Sequence, residues 1–160
     1  MAKRLVCVVA LAALLPAAAR AQEADRAQVI AAVQSFFDSM EKADADLAKK
    51  ILMPDARFFS AAERDGKMMV RPSSGDAFVA SFSNPNRGKA LERMWDPEVR
   101  IQGSIAQVWT RYDFHNNGKF SHCGIDAFSL VKTDEGWKIT SAMWTVERTG
   151  CAPSPLGAPK

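Results

Sequence analysis

Apolar positions in the first third of the chain recur with the period of a helix. Between residues 24 and 42 they fall at intervals of three and four, which places them on one face of an amphipathic helix. They are Val29, Ile30, Val33, Phe36, Phe37 and Met40. A second, shorter helix carrying Leu47, Ile51 and Leu52 is expected after Asp44, whose carboxylate can cap free backbone amides. Met53-Pro54 ends it, because the residue before a proline disfavours helical backbone.

The pattern then changes to the alternation of strands. "DARFFSAAERDGKMMVRP" predicts two strands joined by a turn at Asp65-Gly66. Ser73 or Ser74 can cap a third helix with Phe78, Val79 and Phe82, which "NPNRG" terminates. Four long strands follow, at about 92–102, 104–115, 119–132 and 137–148. The order predicts an α+β domain, with N-terminal helices packed on a curved, mainly antiparallel sheet.

The two ends of the chain differ in composition from this domain. Residues 1–21 combine a basic start, an apolar run and Ala19-Arg20-Ala21, which is the layout of a signal peptide cleaved after Ala21. We therefore expect residues 22–149 to form the domain of an exported, periplasmic or secreted protein without a membrane anchor. Residues 150–160, rich in Pro, Ala and Gly, are expected to form a flexible tail.

Removing the predicted leader changes the charge of the protein. It takes away three of the 21 basic residues and leaves 18, against 18 acidic residues. A near-neutral chain without a basic cluster does not indicate a nucleic-acid partner. The sequence also has no phosphate loop, CxxC or HExxH motif, so it predicts neither a cofactor nor a metal.

The later strands carry a family resemblance. "VWTRYDFHNNGKFSHCGIDAFSLVKTDEGWKI", followed by "WTVE", resembles the exported SnoaL-like and lumazine-binding-like branch of the NTF2-like superfamily. The resemblance covers nearly all of residues 22–149 and is most specific over residues 104–148. It implies a pocket between sheet and helices, and frequent dimerisation through the other sheet face. It does not imply one activity, because this fold supports isomerases, dehydratases, hydrolases and non-catalytic binders.

Turn chemistry predicts the register of the last three strands. Asn117-Gly118 is a strong two-residue hairpin signal that pairs Asn116 with Lys119. Continued without interruption, this register places Asp113 opposite His122 and Trp109 opposite Asp126. A second turn that pairs Lys132 with Trp137 sets Asp126 beside Met143.

Alternation in this register sorts the side chains onto two faces. The pocket face is predicted to carry Trp109, Arg111, Asp113, His122, Asp126, Phe128, Leu130, Ile139, Met143, Thr145 and Glu147. The outer face is predicted to carry Val108, Tyr112, Phe114, Cys123, Ile125, Ala127, Val131, Ala142, Trp144 and Val146. The candidate ligand contacts are Trp109, Arg111, His122, Asp126, Met143, Thr145 and Glu147, together with Phe36 from the first helix.

His122 and Cys123 look like one reactive pair but are neighbours on a strand. Their side chains therefore point to opposite faces, which excludes a Cys–His nucleophile and a shared metal. A metal would instead need His115, His122, Asp113 and Glu147, for which a charge network at the pocket mouth is the favoured interpretation. The outward Cys123 is expected to form a disulfide with Cys151 if the tail folds back over the outer face.

Asp126 is the carboxylate with the most chemical interest. Apolar surroundings raise a carboxyl pKa and would suit a general base, with His122 as a second catalytic candidate. An ion pair with Arg111 is the favoured structural alternative. The sequence thus predicts a small-molecule binder, with an enzyme of ketosteroid-isomerase or dehydratase type as the alternative. A protein-interaction module that uses the Tyr112–Trp144 face is a third possibility.

Overall fold

The computed structural model describes residues 17–159. Helix α1 spans Ala17–Lys42 and helix α2 spans Ala45–Ile51. The antiparallel hairpin of strands β1 (Leu52–Arg64) and β2 (Lys67–Ser74) leads into helix α3 (Gly75–Ala80) and a 3-10 turn at Ser81–Ser83. Strands β3 (Ala90–Gln102), β4 (Ile105–Asn116), β5 (Lys119–Thr133) and β6 (Gly136–Val146) complete the chain. No helix in this described part is long and apolar enough to cross a membrane.

Local chemistry sets the helix boundaries as expected. The Asp44 carboxylate accepts a hydrogen bond from the Leu47 amide at 2.9 Å, and the Ser74 hydroxyl accepts one from the Ala77 amide at 3.1 Å. Both contacts satisfy amides that have no partner inside the helix. Helix α1 begins at Ala17, ahead of the predicted cleavage site at Ala21, and most of the predicted leader lies outside the described residues.

The six strands form one mixed sheet in the order β2-β1-β6-β5-β4-β3. All neighbours are antiparallel except β1 and β6, which run parallel. This confirms the α+β class and the mainly antiparallel sheet. The parallel pairing of β1 with β6 joins the first hairpin to strands β3 to β6, which we call the meander. It places Phe58 of β1 beside Ala142 of β6.

The hydrophobic core lies between α1 and one face of the sheet, which we call the inner face. Phe36 is its centre: its ring stacks on Phe78 at 4.7 Å between ring centroids and meets Phe58 and Phe128 at 5.6 and 5.7 Å. Tilted and edge-on aromatic contacts of this kind stabilise a core beyond the area they bury. Phe36 therefore belongs to the packed base of the domain rather than to an open pocket wall.

The C-terminal segment is fastened to the opposite, outer face. The predicted disulfide between Cys123 and Cys151 is present, with 6.0 Å between the Cα atoms. Cys123 also exchanges two backbone hydrogen bonds of 2.9 Å with Glu147, which holds the end of β6 against β5. The chain after Gly150 thus turns back across the sheet, where a freely flexible tail was expected.

Candidate functional site

The predicted register of the meander was wrong by one residue, and the cause is a bulge in each of two strands. Both turns are as predicted, with Asn116 opposite Lys119 and Lys132 opposite Trp137. Next to the first turn, His115 pairs with Phe120 but Phe114 pairs with His122, so Ser121 is an extra residue. A single extra residue moves the pairing by one and exchanges the faces of one strand relative to its partner.

The second bulge acts in the same way on β6. Leu130 pairs with Ile139 but Ser129 pairs with Ser141, which leaves Thr140 extra. Its hydroxyl donates a 3.0 Å hydrogen bond to the Ser129 carbonyl, so the bulge has its own side-chain support. Beyond it, Asp126 faces Trp144 and not Met143.

These bulges reassign most of the predicted ligand contacts. The register puts on the outer face six residues predicted for the pocket: Trp109, Arg111, Asp113, Met143, Thr145 and Glu147. Trp109 and Met143 are each 54% exposed there. Arg111, on the outer face, is not the ion-pair partner predicted for Asp126. Conversely, Val108, Tyr112, Phe114, Ala142, Trp144 and Val146 face inward rather than outward.

The predicted placements on β5 agree with the structure, because alternation within one strand does not depend on the register with its partners. His122, Asp126, Phe128 and Leu130 lie on the inner face, and Cys123 lies on the outer face. His122 and Cys123 are therefore separated by the sheet, as the alternation predicts. The four-residue metal set is also divided, since His122 is inside while Asp113 and Glu147 are outside. No cluster of metal-ligating side chains occurs within residues 17–159.

The inner face carries a carboxyl pair, Asp126 and Glu92. Asp126 is 2% exposed, and Glu92 is partly buried with its carboxyl group within hydrogen-bonding reach of that of Asp126. Glu92 enters from β3, two strands away from Asp126, because it shares the inner face with Met94. None of the ion pairs among the described residues includes either carboxyl group.

The pair is short of hydrogen-bond donors. Asp126 Oδ2 is buried without a donor from the described residues. The nearest hydroxyl across the strand is committed elsewhere, because Thr110 Oγ1 donates to the Trp95 carbonyl at 2.9 Å. Two carboxyl groups in contact can form a hydrogen bond only if one of them retains its proton. A hydrogen bond between Asp126 and Glu92 therefore needs a proton on one of the two groups.

Burial and mutual repulsion act together on this pair. Burial, followed by the charge of Glu92, raises the pKa of Asp126 well above its ordinary value. Burial also raises the pKa of Glu92 to about 7, although its hydrogen bond with Asp126 opposes the shift. The two groups titrate as a coupled pair, which keeps a proton to a higher pH than exposed carboxyl groups do. The pair thus offers Glu92 as a second acid–base candidate beside Asp126, for which the sequence predicts a general base.

Tyr112 supports the pair from the neighbouring strand. Its hydroxyl donates a 2.6 Å hydrogen bond to the Thr145 carbonyl, and its ring passes over Gly124. A Cβ atom on Gly124 would lie 2.9 Å from the Tyr112 ring and 2.3 Å from the Thr145 carbonyl oxygen, so only glycine fits. Burial and then the charge of Glu92 raise the pKa of Tyr112 far above its ordinary range, so the phenol remains protonated.

His122 lies at the more open end of the inner face. Its ring stacks on Phe114 at 4.8 Å and meets Tyr112 edge-on at 5.7 Å, and its Nδ1 lies 3.0 Å from Ser121 Oγ. Burial, assisted by the positive charge of Arg148, lowers the pKa of His122 to about 4. His122 is therefore a neutral aromatic side chain near pH 7 and can donate or accept one hydrogen bond.

Glu92 and Tyr112 are the site residues that sequence reasoning missed. Tyr112 was assigned to the wrong face by the undetected bulge. The register of β3 shifts between Trp95 and Glu98. Alternation counted back from Val99 and Ile101 therefore does not give the face on which Glu92 lies. One local signal was available. Glu92 lies two residues before the apolar Met94 near the start of a long strand, and alternation would place both on the same face.

Comparison with known proteins agrees with this architecture. The three helices over a curved six-stranded sheet define an NTF2-like protein. A family model described as "Putative lumazine-binding" matches residues 24–145, and the chain belongs to that family. No curated protein matches the chain.

Solved structures show the same fold at low sequence identity. An NTF2-like superfamily protein from Salmonella enterica is 15% identical with a TM-score of 0.62, over 87% of this chain and 99% of that one. An NTF2-like protein with a cystatin-like fold from Novosphingobium aromaticivorans is 15% identical with a TM-score of 0.65, over 89% and 94%. A "putative dehydratase" of the NTF2-like family from Streptomyces avermitilis is 19% identical with a TM-score of 0.60, over 78% and 97%.

The carboxyl pair predicts an unusual dependence of stability on pH. A carboxyl group whose pKa is raised by folding stabilises the protein below its unfolded pKa and loses that contribution as pH rises through the folded pKa. The free energy of unfolding should therefore fall between about pH 5 and pH 8. Asp126→Asn and Glu92→Gln should each flatten this slope, because an amide can keep the hydrogen bond without a charge. Urea denaturation across this pH range measures the slope.

Glu98→Gln is the matched control, because Glu98 is an exposed carboxylate on the same strand as Glu92. It should leave the wild-type slope unchanged. A wild-type slope that survives in both inner-face variants would contradict the assignment of the pKa shifts to this pair.

Proposed function

We propose that this protein binds a small, partly apolar molecule between the inner sheet face and the helices, with the Asp126–Glu92 pair as the polar end of the site. The observation that carries the proposal is the pair itself. Asp126 is buried, Glu92 is partly buried, and no ion pair of the described residues includes either, so their ionisation weakens the fold and packing alone does not account for them. A ligand that donates a hydrogen bond to Glu92 or accepts one from Asp126 would compensate for the missing partners.

The surroundings of the pair support a partly apolar ligand. Met94, Phe82 and Trp144 are half-buried residues that pack against the core, and His122 and Phe114 form a stacked, half-buried pair near the open end. Aromatic and apolar walls with a few polar groups are typical of small-molecule sites. The name of the family points to a ring compound of the lumazine type as the first probe.

Titration of lumazine, followed by its fluorescence, tests this binding. The wild-type protein should bind lumazine, and Asp126→Asn and Glu92→Gln should each weaken binding about tenfold, the usual effect of losing one hydrogen bond to a charged or strongly polar partner. Glu98→Gln should bind as the wild type does. The absence of lumazine binding together with no ligand retained by the purified protein in native mass spectrometry would refute the proposal. So would binding that neither inner-face variant weakens.

An enzyme that transfers protons is the second candidate function. It is favoured by the coexistence of a base with a pKa of about 7, Glu92, and a protonated acid, Asp126, because a catalytic pKa near the working pH is the most effective. The structural likeness to a "putative dehydratase" is compatible with this chemistry. The same variants separate the two functions: in an enzyme, Glu92→Gln would keep a bound carbonyl compound but stop exchange of its α-hydrogen in deuterium oxide.

We also propose that the protein forms a homodimer through the outer sheet face. This face has an open groove of about 480 Å³ beside Trp109 and Met143, and both side chains are 54% exposed. Exposed aromatic and methionine side chains on a sheet are enriched at interfaces. We place the interface on this surface and not on the predicted Tyr112–Trp144 surface, because those two side chains face the interior.

Light scattering coupled to size-exclusion chromatography tests the dimer. The wild-type protein should elute with twice the mass of the chain, and Trp109→Glu should shift it to the monomer, because a carboxylate would be desolvated at the centre of the interface. Lys119→Glu, at the exposed hairpin, should leave the mass unchanged. A monomeric wild-type protein at about 100 μM, a concentration well above a typical dimer dissociation constant, would exclude this assembly.

A further inference from the structure

A second polar cluster lies on the outer face beneath the C-terminal segment. Arg93 donates to both carboxylate oxygens of Asp113, with Nε–Oδ1 at 2.9 Å and Nη2–Oδ2 at 2.6 Å. His115 Nε2 lies 3.4 Å from Asp113 Oδ1 and 3.4 Å from Arg93 Nη2. Asp113 is 4% exposed and His115 is 6% exposed, although both lie near the open end of β4. We call these three residues the outer cluster.

The outer cluster is buried because the C-terminal segment covers it. An open pocket of about 610 Å³ lies between the cluster, Phe120 and the C-terminal segment. Ser154 from the segment lies close enough to the carboxylate of Asp113 to help lower its pKa. Burial acts to raise the pKa of Asp113, but the hydrogen bonds and charge of Arg93 outweigh burial and hold it below its ordinary value. Asp113 is therefore an ionised carboxylate, and its ion pair with Arg93 lies beneath the segment.

The His115 ring is positioned by this cluster but is not fully used. Its Nε2 is held against Asp113 and Arg93, while its Nδ1 is buried without a partner among the described residues. A buried ring nitrogen without a partner beside a cavity is a place for a water or a ligand group. The proposed inner-face site does not involve His115, because the sheet separates the two faces.

The covering segment has little else to hold it. Most of residues 150–159 are exposed, and no regular secondary structure forms there. The hydrogen bonds within the segment are local, such as Gly157 N to the Ser154 carbonyl at 3.3 Å. The covalent bond from Cys151 to Cys123 is its strong attachment, and Cys123 is directly opposite Asp113 in the strand register. The disulfide thus fixes the segment over the outer cluster.

We propose that residues 151–159 are a disulfide-held lid over the outer cluster, and that thiol reduction of Cys123–Cys151 opens this second site. In the first step a thiolate attacks Cys151 Sγ, which is the more exposed sulfur, and Cys123 leaves as a thiolate. A second thiolate then releases Cys151. Two thiols are oxidised to one disulfide, their two protons pass to the two protein sulfurs, and the protein gains two cysteine thiols. Opening exposes His115 and the Arg93–Asp113 pair while leaving the inner core intact.

Acylation of histidine by diethyl pyrocarbonate at pH 7 tests the lid. The sequence contains two histidines, so peptide mass mapping can follow His115, with His122 as the internal control. In the oxidised protein His115 should react slowly, and after reduction with a phosphine it should react at least tenfold faster. The rate at His122 and the far-ultraviolet circular dichroism should remain unchanged, because the sheet separates His122 on the inner face from the segment on the outer face.

A truncated variant separates the lid from the disulfide. Cys123→Ser in a chain that ends at Gly150 should show the fast His115 rate without any reductant. Cys151→Ser in the full chain should show the same rate, because the segment is then untethered.

Three outcomes would overturn the proposal. His115 could stay slow in the truncated chain, which would mean that the segment is not its cover. It could also stay slow after complete reduction verified by mass, which would mean that the disulfide does not hold the lid. Loss of the circular dichroism signal on reduction would make the disulfide a staple for the whole fold. An increase confined to His115, with the fold retained, would support the lid.

Discussion

The hydrogen bond between two carboxyl groups, Asp126 and Glu92, is the interaction on which this account of the protein depends. It forms because β3 and β5 each present an acidic side chain to the inner face. None of the ion pairs of the described residues includes either side chain. One proton has to remain on the pair, since two adjacent buried carboxylates would repel each other at high cost. A retained proton removes one of the two charges and so lowers the cost of placing both groups on the inner face.

The surrounding structure protects this arrangement. Tyr112 is fixed by its hydrogen bond to the Thr145 carbonyl, lies over Gly124 and stays uncharged on the inner face. His122 also stays neutral, because burial and the positive charge of Arg148 both disfavour its protonated form. The inner face is thus a low-charge environment that contains a single shared proton, which suits a partly apolar ligand with one strong hydrogen-bonding group.

Sequence reasoning predicted the order of elements well, because that order depends on local signals. Helical periodicity, the caps at Asp44 and Ser74 and the turn at Asn117-Gly118 each need only a few adjacent residues. The outward direction of Cys123 and the inward direction of Asp126 also followed from alternation within one strand. The disulfide followed from these directions and from the chemistry of two remaining cysteines.

The candidate site was predicted only in part, because its composition depends on relations between strands. Ser121 and Thr140 carry no strong bulge signal, yet each moves one strand by a residue against its neighbour and so changes the face of every side chain beyond it. For this reason Arg111 and Trp109 lie on the outer face and not in the predicted pocket, and Tyr112 lies on the inner face. Glu92 could not be placed, because its partner Asp126 lies two strands away and the contact exists only once the sheet is curved.

The carbon-13 chemical shift of the Asp126 carboxyl carbon, followed by NMR from pH 4 to pH 9, measures the shared proton most directly. Asp126 should keep its proton to a pH well above the ordinary range of an aspartate, and the coupled pair should show a transition at about pH 7, to which Glu92 contributes. A shift that shows Asp126 fully ionised below pH 5, as in an exposed aspartate, would contradict the account.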